Sequence, residues 1–244
     1  MYVITSDRPD GGYLSDEVEL KLPDDKWAID GTLFQYNDQL WFVWSGWADN
    51  ENIEQNLYIC RMSSPTEATG PRYVISQPRE PWERIVGNPW INEGPEAIVD
   101  PDGQLHIVYS ADGSWSSSYC LGDLRLKKGG DPTNVWDWYK SNGCVMGSNK
   151  DQMMAGWDTT KDVNGPGHHT FAILGDIGGL NSPNTKYPFM YHAVEKGTEY
   201  SWENRQWFSG SFHWIPDITY SRANVPGDGE NSGWSPKLTE ESLA

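Results

Sequence analysis

Three ionisable residues stand at matched places along the chain. They are Asp30 in Trp27-Ala28-Ile29-Asp30-Gly31-Thr32-Leu33-Phe34, Glu93 in Asn92-Glu93-Gly94-Pro95-Glu96, and His168 in Gly165-Pro166-Gly167-His168. Each lies beside a glycine and leads into an apolar run. The intervals between them are about 63 and about 75 positions. Taken singly, each has an ordinary structural use. Asp30 would cap the turn at Gly31, Glu93 would be a loop acid, and His168 would satisfy a backbone carbonyl. Taken together at repeating positions, they suggest a site, because charged groups gathered in a cleft cost stability and tend to be kept for use. Two carboxylates among aromatic side chains suit glycoside hydrolysis. One must be held neutral to protonate a leaving oxygen, and a neighbouring carboxylate raises its pKa. Glu93 and Asp30 are such an acid and its tuner, and neither is obviously the base.

The elements that would position them read as strands. Ala97-Ile98-Val99 and Leu105 to Tyr109 form a hairpin around Asp100-Pro101-Asp102-Gly103, a strong reversal signal. Ile29 to Phe34, a turn at Asn37-Asp38, Leu40 to Ser45 and Asn56 to Met62 form an earlier group. Tyr119 to Leu126 adds a third strand to the hairpin. Later, His169 to Leu174 and Pro188 to Ala193 repeat the scheme. Tyr2 to Thr5 pairs with the alternating Val18 to Leu22. Residues 64–92 read as a long surface connection, and Val135 to Tyr139 as an outer strand. The tail from Trp207 on has aromatic strands but no complete unit. No segment has helical periodicity over ten residues. Recurring groups of short strands predict an all-β fold, a β-propeller rather than a sandwich, since a sandwich leaves the repeat unexplained.

Composition narrows the partners. A net charge of −17 and a pI near 4.5 argue against nucleic acid and against an anionic membrane surface. No apolar run is long enough for a membrane helix. Fourteen Trp and twelve Tyr supply core, and also flat faces on which a sugar ring can stack. Trp27, Trp47 and Trp115 lie nearest the three motifs and are the candidate sugar-stacking residues. Cys120 and Cys144 can pair, leaving Cys60 in an apolar strand; three free buried thiols are the equal alternative.

In order, the three motifs resemble successive motifs of glycoside hydrolase family 43. The match continues in Tyr109-Ser110-Ala111-Asp112-Gly113-Ser114-Trp115 and in Tyr191-His192-Ala193, and covers residues from about 2 to about 235. It is most similar to α-L-arabinofuranosidases and arabinanases. The resemblance implies a five-bladed propeller, an inverting mechanism, Glu93 as general acid, and Asp30 as the aspartate that tunes and orients it. His168 matches a histidine that, in the arabinanase-like branch, sits in the axial channel beside a metal, often calcium. Calcium takes oxygen ligands, so His168 would be at most one ligand among waters. Substrates would be arabinan or arabinoxylan-type oligosaccharides, and members are normally secreted, so an extracellular protein is expected.

One family feature has no counterpart. The general base of the family is an aspartate ahead of an apolar strand in the first blade, whereas Asp7 and Asp10 lie in a turn. The expectation is therefore a propeller lacking its first blade and part of the second. Residues 1–236 would form the partial catalytic domain and 237–244 a disordered tail. Exposed strand edges and slow or absent hydrolysis by this chain alone are expected too. The alternative function is a non-catalytic carbohydrate-binding propeller or an inactive fragment.

Overall fold

A computed structural model describes residues 1–13, 17–173, 176–223 and 229–241. Fourteen strands and four single 3₁₀ turns make up its regular structure among those residues. β1 (Tyr2–Val3) and β2 (Val18–Glu19) form a small separate pair. β3 (Ala28–Tyr36), β4 (Gln39–Trp47), β5 (Glu54–Ser64) and β6 (Glu67–Ser76) form the first antiparallel sheet. β7 (Trp90–Val99), β8 (Leu105–Ala111), β9 (Cys120–Leu126) and β10 (Trp138–Lys140) form the second. β11 (Val163–Phe171), β12 (Tyr187–Glu195), β13 (Arg205–Arg222) and β14 (Glu230–Glu240) form the third. The fold is all-β, as expected, and no sheet closes on itself.

The turns explain the hairpins. Asn37 and Asp38 both take positive φ, 50° and 58°, the geometry that two-residue hairpin turns require. In the β7–β8 turn, Asp100 Oδ1 accepts from the backbone N–H groups of Asp102 and Gln104, and Gly103 takes φ 80°. All seven residues of β8 are buried, because the second sheet is covered on both faces. Ile107 and Tyr109 pack with Val43, Ile59 and Trp82 toward the first sheet. Val108, from the other face, packs with Phe189 and Phe212 of the third. A continuous apolar run is what such a doubly covered strand needs.

Several expectations are corrected. Residues 64–92 are not simply a connection, since β6 pairs along β5 with three register irregularities. Its Gly70-Pro71 looks like a breaker, but an edge strand tolerates proline. Val135–Asp137 is a 3₁₀ turn capped by the Asn134 side chain, and only Trp138–Lys140 is strand. The chain after Trp207 is no incomplete remnant. β13 is 18 residues long and pairs with β12, β14 and β10 in turn, so one hairpin ties the third sheet to the second. β14 continues to Glu240, so Lys237–Glu240 are paired strand rather than tail; residues 242–244 lie outside the described set. The strand expected over His169 to Leu174 ends at Phe171, and Leu174 is likewise outside the described residues.

Buried polar groups lock the sheets together. Glu83, wholly buried, accepts from Lys140 Nζ at 2.9 Å, Asn92 Nδ2 at 2.9 Å and Tyr109 OH at 2.9 Å. Arg125 lies over the Tyr220 ring at 4.2 Å and donates to the carbonyls of Ile218, Asn231 and Trp234, holding the long hairpin against β9. Cys120 and Cys144 are joined in a disulfide, and Cys60 is free and buried.

Candidate active site

The first strand of each sheet, β3, β7 and β11, carries the same irregularity. Between Ile29 and Thr32, between Glu93 and Glu96, and between Gly167 and Thr170, two residues oppose one on the partner strand. The single residue opposite is a buried aromatic each time: Trp44, Tyr109 and Tyr191. The first bulge residue takes positive φ in all three, 55° at Asp30, 55° at Gly94 and 49° at His168. For residues other than glycine this backbone is disfavoured, and such strain gathers at functional sites.

This register corrects the alignment expected from sequence. Asp30 and His168 are equivalent, but their counterpart is Gly94, not Glu93. Glu93 stands one residue earlier, matched with Ile29 and Gly167. The sequence marker, an ionisable residue beside glycine, slid by one, because Gly31 is the second bulge residue and Gly94 the first. The three groups nevertheless converge. The Gly94 N–H donates to Asp30 Oδ2 at 3.2 Å, and His168 Nε2 lies 3.8 Å from Asp30 Oδ1. A Cβ on Gly94 would make only ordinary contact with the His168 ring, at 3.4 Å, so glycine is needed there for its φ of 55°.

Glu93 is held by a residue that sequence did not single out. Tyr119 OH donates to Glu93 Oε1 at 2.6 Å. Tyr119 is buried, and a Cβ on Gly167 would lie 2.1 Å from its ring, so only glycine admits it. The disulfide at Cys120 anchors the adjacent backbone. Arg205 stacks over the Tyr119 ring at 5.1 Å and donates to Tyr200 OH, Gly165 O and His192 O. Burial raises the Glu93 pKa most, and Asp30 raises it further; Tyr119, His168 and Arg205 pull it down, and the net direction is up. Like-charge repulsion from Asp30 thus acts in the expected sense but ranks behind desolvation. From beneath, Asn92 is fixed through Glu83, Ser76 Oγ and Ser45 Oγ.

The candidate tryptophans divide. Trp27 and Trp47 stack on each other at 4.7 Å, just ahead of the Asp30 bulge, with Trp27 partly exposed. Trp115 is exposed and folded over Gly113. None of the three lines the cavity of about 220 Å³ beside Asp30 and His168; Trp207 does, with Glu96, His169 and Thr170. Burial pushes the Glu96 carboxyl up to about 7 and, helped by His168, pushes His169 down to about 3. Glu96 closes the Glu93 motif, and its half-buried setting had no local signal.

The metal expectation finds a poor donor set. Among the described residues no group of three His, Cys, Asp or Glu side chains stands close enough to hold an ion. Calcium wants six to eight oxygens. His168 offers nitrogen, and the adjacent carboxylate of Asp30 already accepts from Gly94.

The family profile described as glycosyl hydrolases family 43 matches residues 1–220. The chain belongs to glycosyl hydrolases family 43. The chain is 31% identical to alpha-L-arabinofuranosidase B of Pyricularia oryzae over 172 residues, covering 69% of this chain and 31% of that one. An extracellular exo-alpha-(1->5)-L-arabinofuranosidase of Streptomyces avermitilis is 28% identical, over 72% of this chain and 34% of that protein. The chain therefore spans about a third of the length of these curated relatives. The crystal structure of an alpha-L-arabinofuranosidase from Lactobacillus brevis superposes with a TM-score of 0.68 at 25% identity, covering 93% of this chain and 67% of that one. In this family-43 chain the converging bulges thus sit in a scaffold shared with known glycosidases.

Proposed function

We propose that the protein is a glycoside hydrolase acting on α-L-arabinofuranosyl linkages of plant cell-wall polysaccharide by an inverting mechanism, with Glu93 as general acid. The observation that carries this reading is the placement of Glu93, half-buried beside Asp30 and gripped on one oxygen by Tyr119, surroundings that raise its pKa. A carboxyl whose pKa is raised keeps its proton to higher pH and can protonate the glycosidic oxygen as it leaves. Asp30 raises the acid's pKa and braces the Gly94 bulge next to it. The sheets with inward-facing bulges fit blades of a five-bladed propeller, and the curated relatives support arabinosyl substrates. Trp27 with Trp47, and Trp115, are the proposed stacking faces for flanking sugars. A disulfide and the relative named as extracellular support a secreted protein.

An inverting enzyme needs a second carboxylate, roughly 6.5–9.5 Å from the acid, to activate water. Asp30 is occupied by Gly94 and His168, and Asp10 is paired with Arg8 at the surface. The engagement of Asp30 and Asp10 favours a second reading, that this chain binds arabino-oligosaccharide with slow turnover or none. Glu93→Gln separates the two readings. The enzyme reading expects wild-type release of arabinose, by chromatography, to fall by about 10²- to 10⁴-fold in the variant, with calorimetric binding kept. Binding without release by the wild type supports the second reading. Equal release by both proteins overturns Glu93 as the acid.

A further inference from the structure

The loop between β8 and β9 carries Trp115 and ends on Tyr119, the residue that grips Glu93. Arg205 reaches this loop at two places. It lies over the Tyr119 ring at 5.1 Å, and its Nη1 donates to Tyr200 OH at 2.7 Å. Tyr200 OH donates in turn to the carbonyl of Ser114, the residue before Trp115, at 3.2 Å. We propose that Tyr200 is a positioning residue that holds the Trp115 loop in fixed register with Glu93, so that an arabino-oligosaccharide stacked on Trp115 is presented to the acid. The proposal rests on the readings of Glu93 as general acid and of Trp115 as a stacking face.

Donor inventory fixes the direction of the link. A guanidinium only donates, so the Tyr200 oxygen accepts from Arg205. The phenol then has one proton to place, and the Ser114 carbonyl can only accept it. A phenol that accepts from a cation is polarised toward donation, so the two bonds reinforce each other. Arg205 is itself anchored, since it also donates to the carbonyls of Gly165 and His192. Other parts of the loop are pinned separately. Asp112 Oδ1 accepts from the Gly113 N–H at 2.9 Å, the Ser116 N–H donates to Gly113 O at 3.0 Å, and Gln152 Nε2 donates to Ser118 O at 2.9 Å. Tyr200 supplies the attachment next to Trp115. The Gly165-Pro166-Gly167-His168 motif makes room for both tyrosines. A Cβ on Gly165 would lie 2.2 Å from the Tyr200 hydroxyl, as one on Gly167 would lie 2.1 Å from the Tyr119 ring. The two glycines thus seat the residue that grips the acid and the residue that sets the stacking loop.

The test uses the full chain labelled with 5-fluorotryptophan, with the Trp115 ¹⁹F signal identified by its loss in Trp115→Phe. Tyr200→Phe keeps the ring and removes the hydroxyl that joins Arg205 to Ser114. It is expected to move or broaden the Trp115 signal and to leave unchanged that of Trp136, which stands in the 3₁₀ turn before β10. Calorimetry with a linear arabino-oligosaccharide reads the consequence. Trp115→Ala and Tyr200→Phe are each expected to weaken binding, Tyr200→Phe by about three- to tenfold, the worth of one hydrogen bond. The double variant is expected to bind no more weakly than Trp115→Ala alone, because Tyr200 acts through Trp115. A merely structural Tyr200 would instead add its loss to that of Trp115→Ala. Additive losses, or an unmoved Trp115 signal, overturn the proposal and leave the functional reading standing. An oligosaccharide that the wild type does not bind removes the functional reading, and the proposal falls with it. Undiminished binding by Trp115→Ala removes the stacking face and overturns the proposal as well.

Discussion

At the scale of single residues, three neighbouring side chains are driven in opposite directions by one cause. Burial raises Glu93, pushes Glu96 up to about 7 and pushes His169 down to about 3, so burial favours the neutral form of all three. Glu96 offers a clean test of linkage. Its folded pKa lies above the unfolded value, so the folded state binds the extra proton. That stabilisation is fully present below the unfolded pKa and is lost as pH rises from there through about 7. Glu96→Gln is uncharged throughout. Chemical denaturation from pH 4.5 to 8.5 is expected to show the wild type losing stability relative to the variant as pH rises. Parallel profiles would mean that Glu96 is solvated in the folded protein. His169 has the opposite sign, losing stability as pH falls from the unfolded value toward about 3.

At the scale of elements, the working unit is the first strand of a sheet with a two-for-one bulge opposite a buried aromatic. The bulge re-aims side chains, which is the usual consequence of an inserted residue. Within the unit, two glycines act by different means. Gly94 supplies a positive φ, whereas Gly167 supplies space, since its backbone lies outside the left-handed region and a Cβ would collide with Tyr119. Gly167→Ala is therefore expected to destabilise by about 1–3 kcal/mol through overpacking. It should also displace Tyr119, whose hydrogen bond lowers the Glu93 pKa, and so move the Glu93 titration upward. Denaturant unfolding and a ¹³C NMR titration of the glutamate carboxyls check both; lost stability with an unmoved Glu93 would show that the ring relaxes without releasing the acid.

At the scale of the whole molecule, buried polar links carry the positioning from sheet to sheet. Lys140 of β10 and Glu83 ahead of β7 are both almost fully buried, and Glu83 also holds Asn92, the residue before Glu93. Removing one partner of such a pair leaves an uncompensated charge. Lys140→Met is expected to cost about 3–5 kcal/mol. For a chain of this length that corresponds to a fall in Tm on the order of 10 °C by calorimetry. A fall of a degree or two would mean that water reaches Glu83. Arg125 plays the same part between the second and third sheets, through three carbonyls of the β13–β14 hairpin.

Much of this was legible in the primary structure because it is local. Turn residues at Asn37-Asp38 and Asp100 to Gly103, strand-length apolar runs and three ordered motifs depend on neighbours in the chain, so the all-β fold, the family and the nearness of Asp30, Glu93 and His168 could be read there. The bulge register could not, because it is defined by the partner strand; hence Glu93 was aligned one residue away from its true counterparts. Tyr119, Arg205, Trp207 and Glu96 escaped for a related reason. Tyr119 is 26 positions from Glu93, and Arg205 is farther still from the ring on which it stacks. Their roles arise from packing between sheets, and a residue's burial and hydrogen-bond direction are properties of that packing rather than of its own stretch of chain.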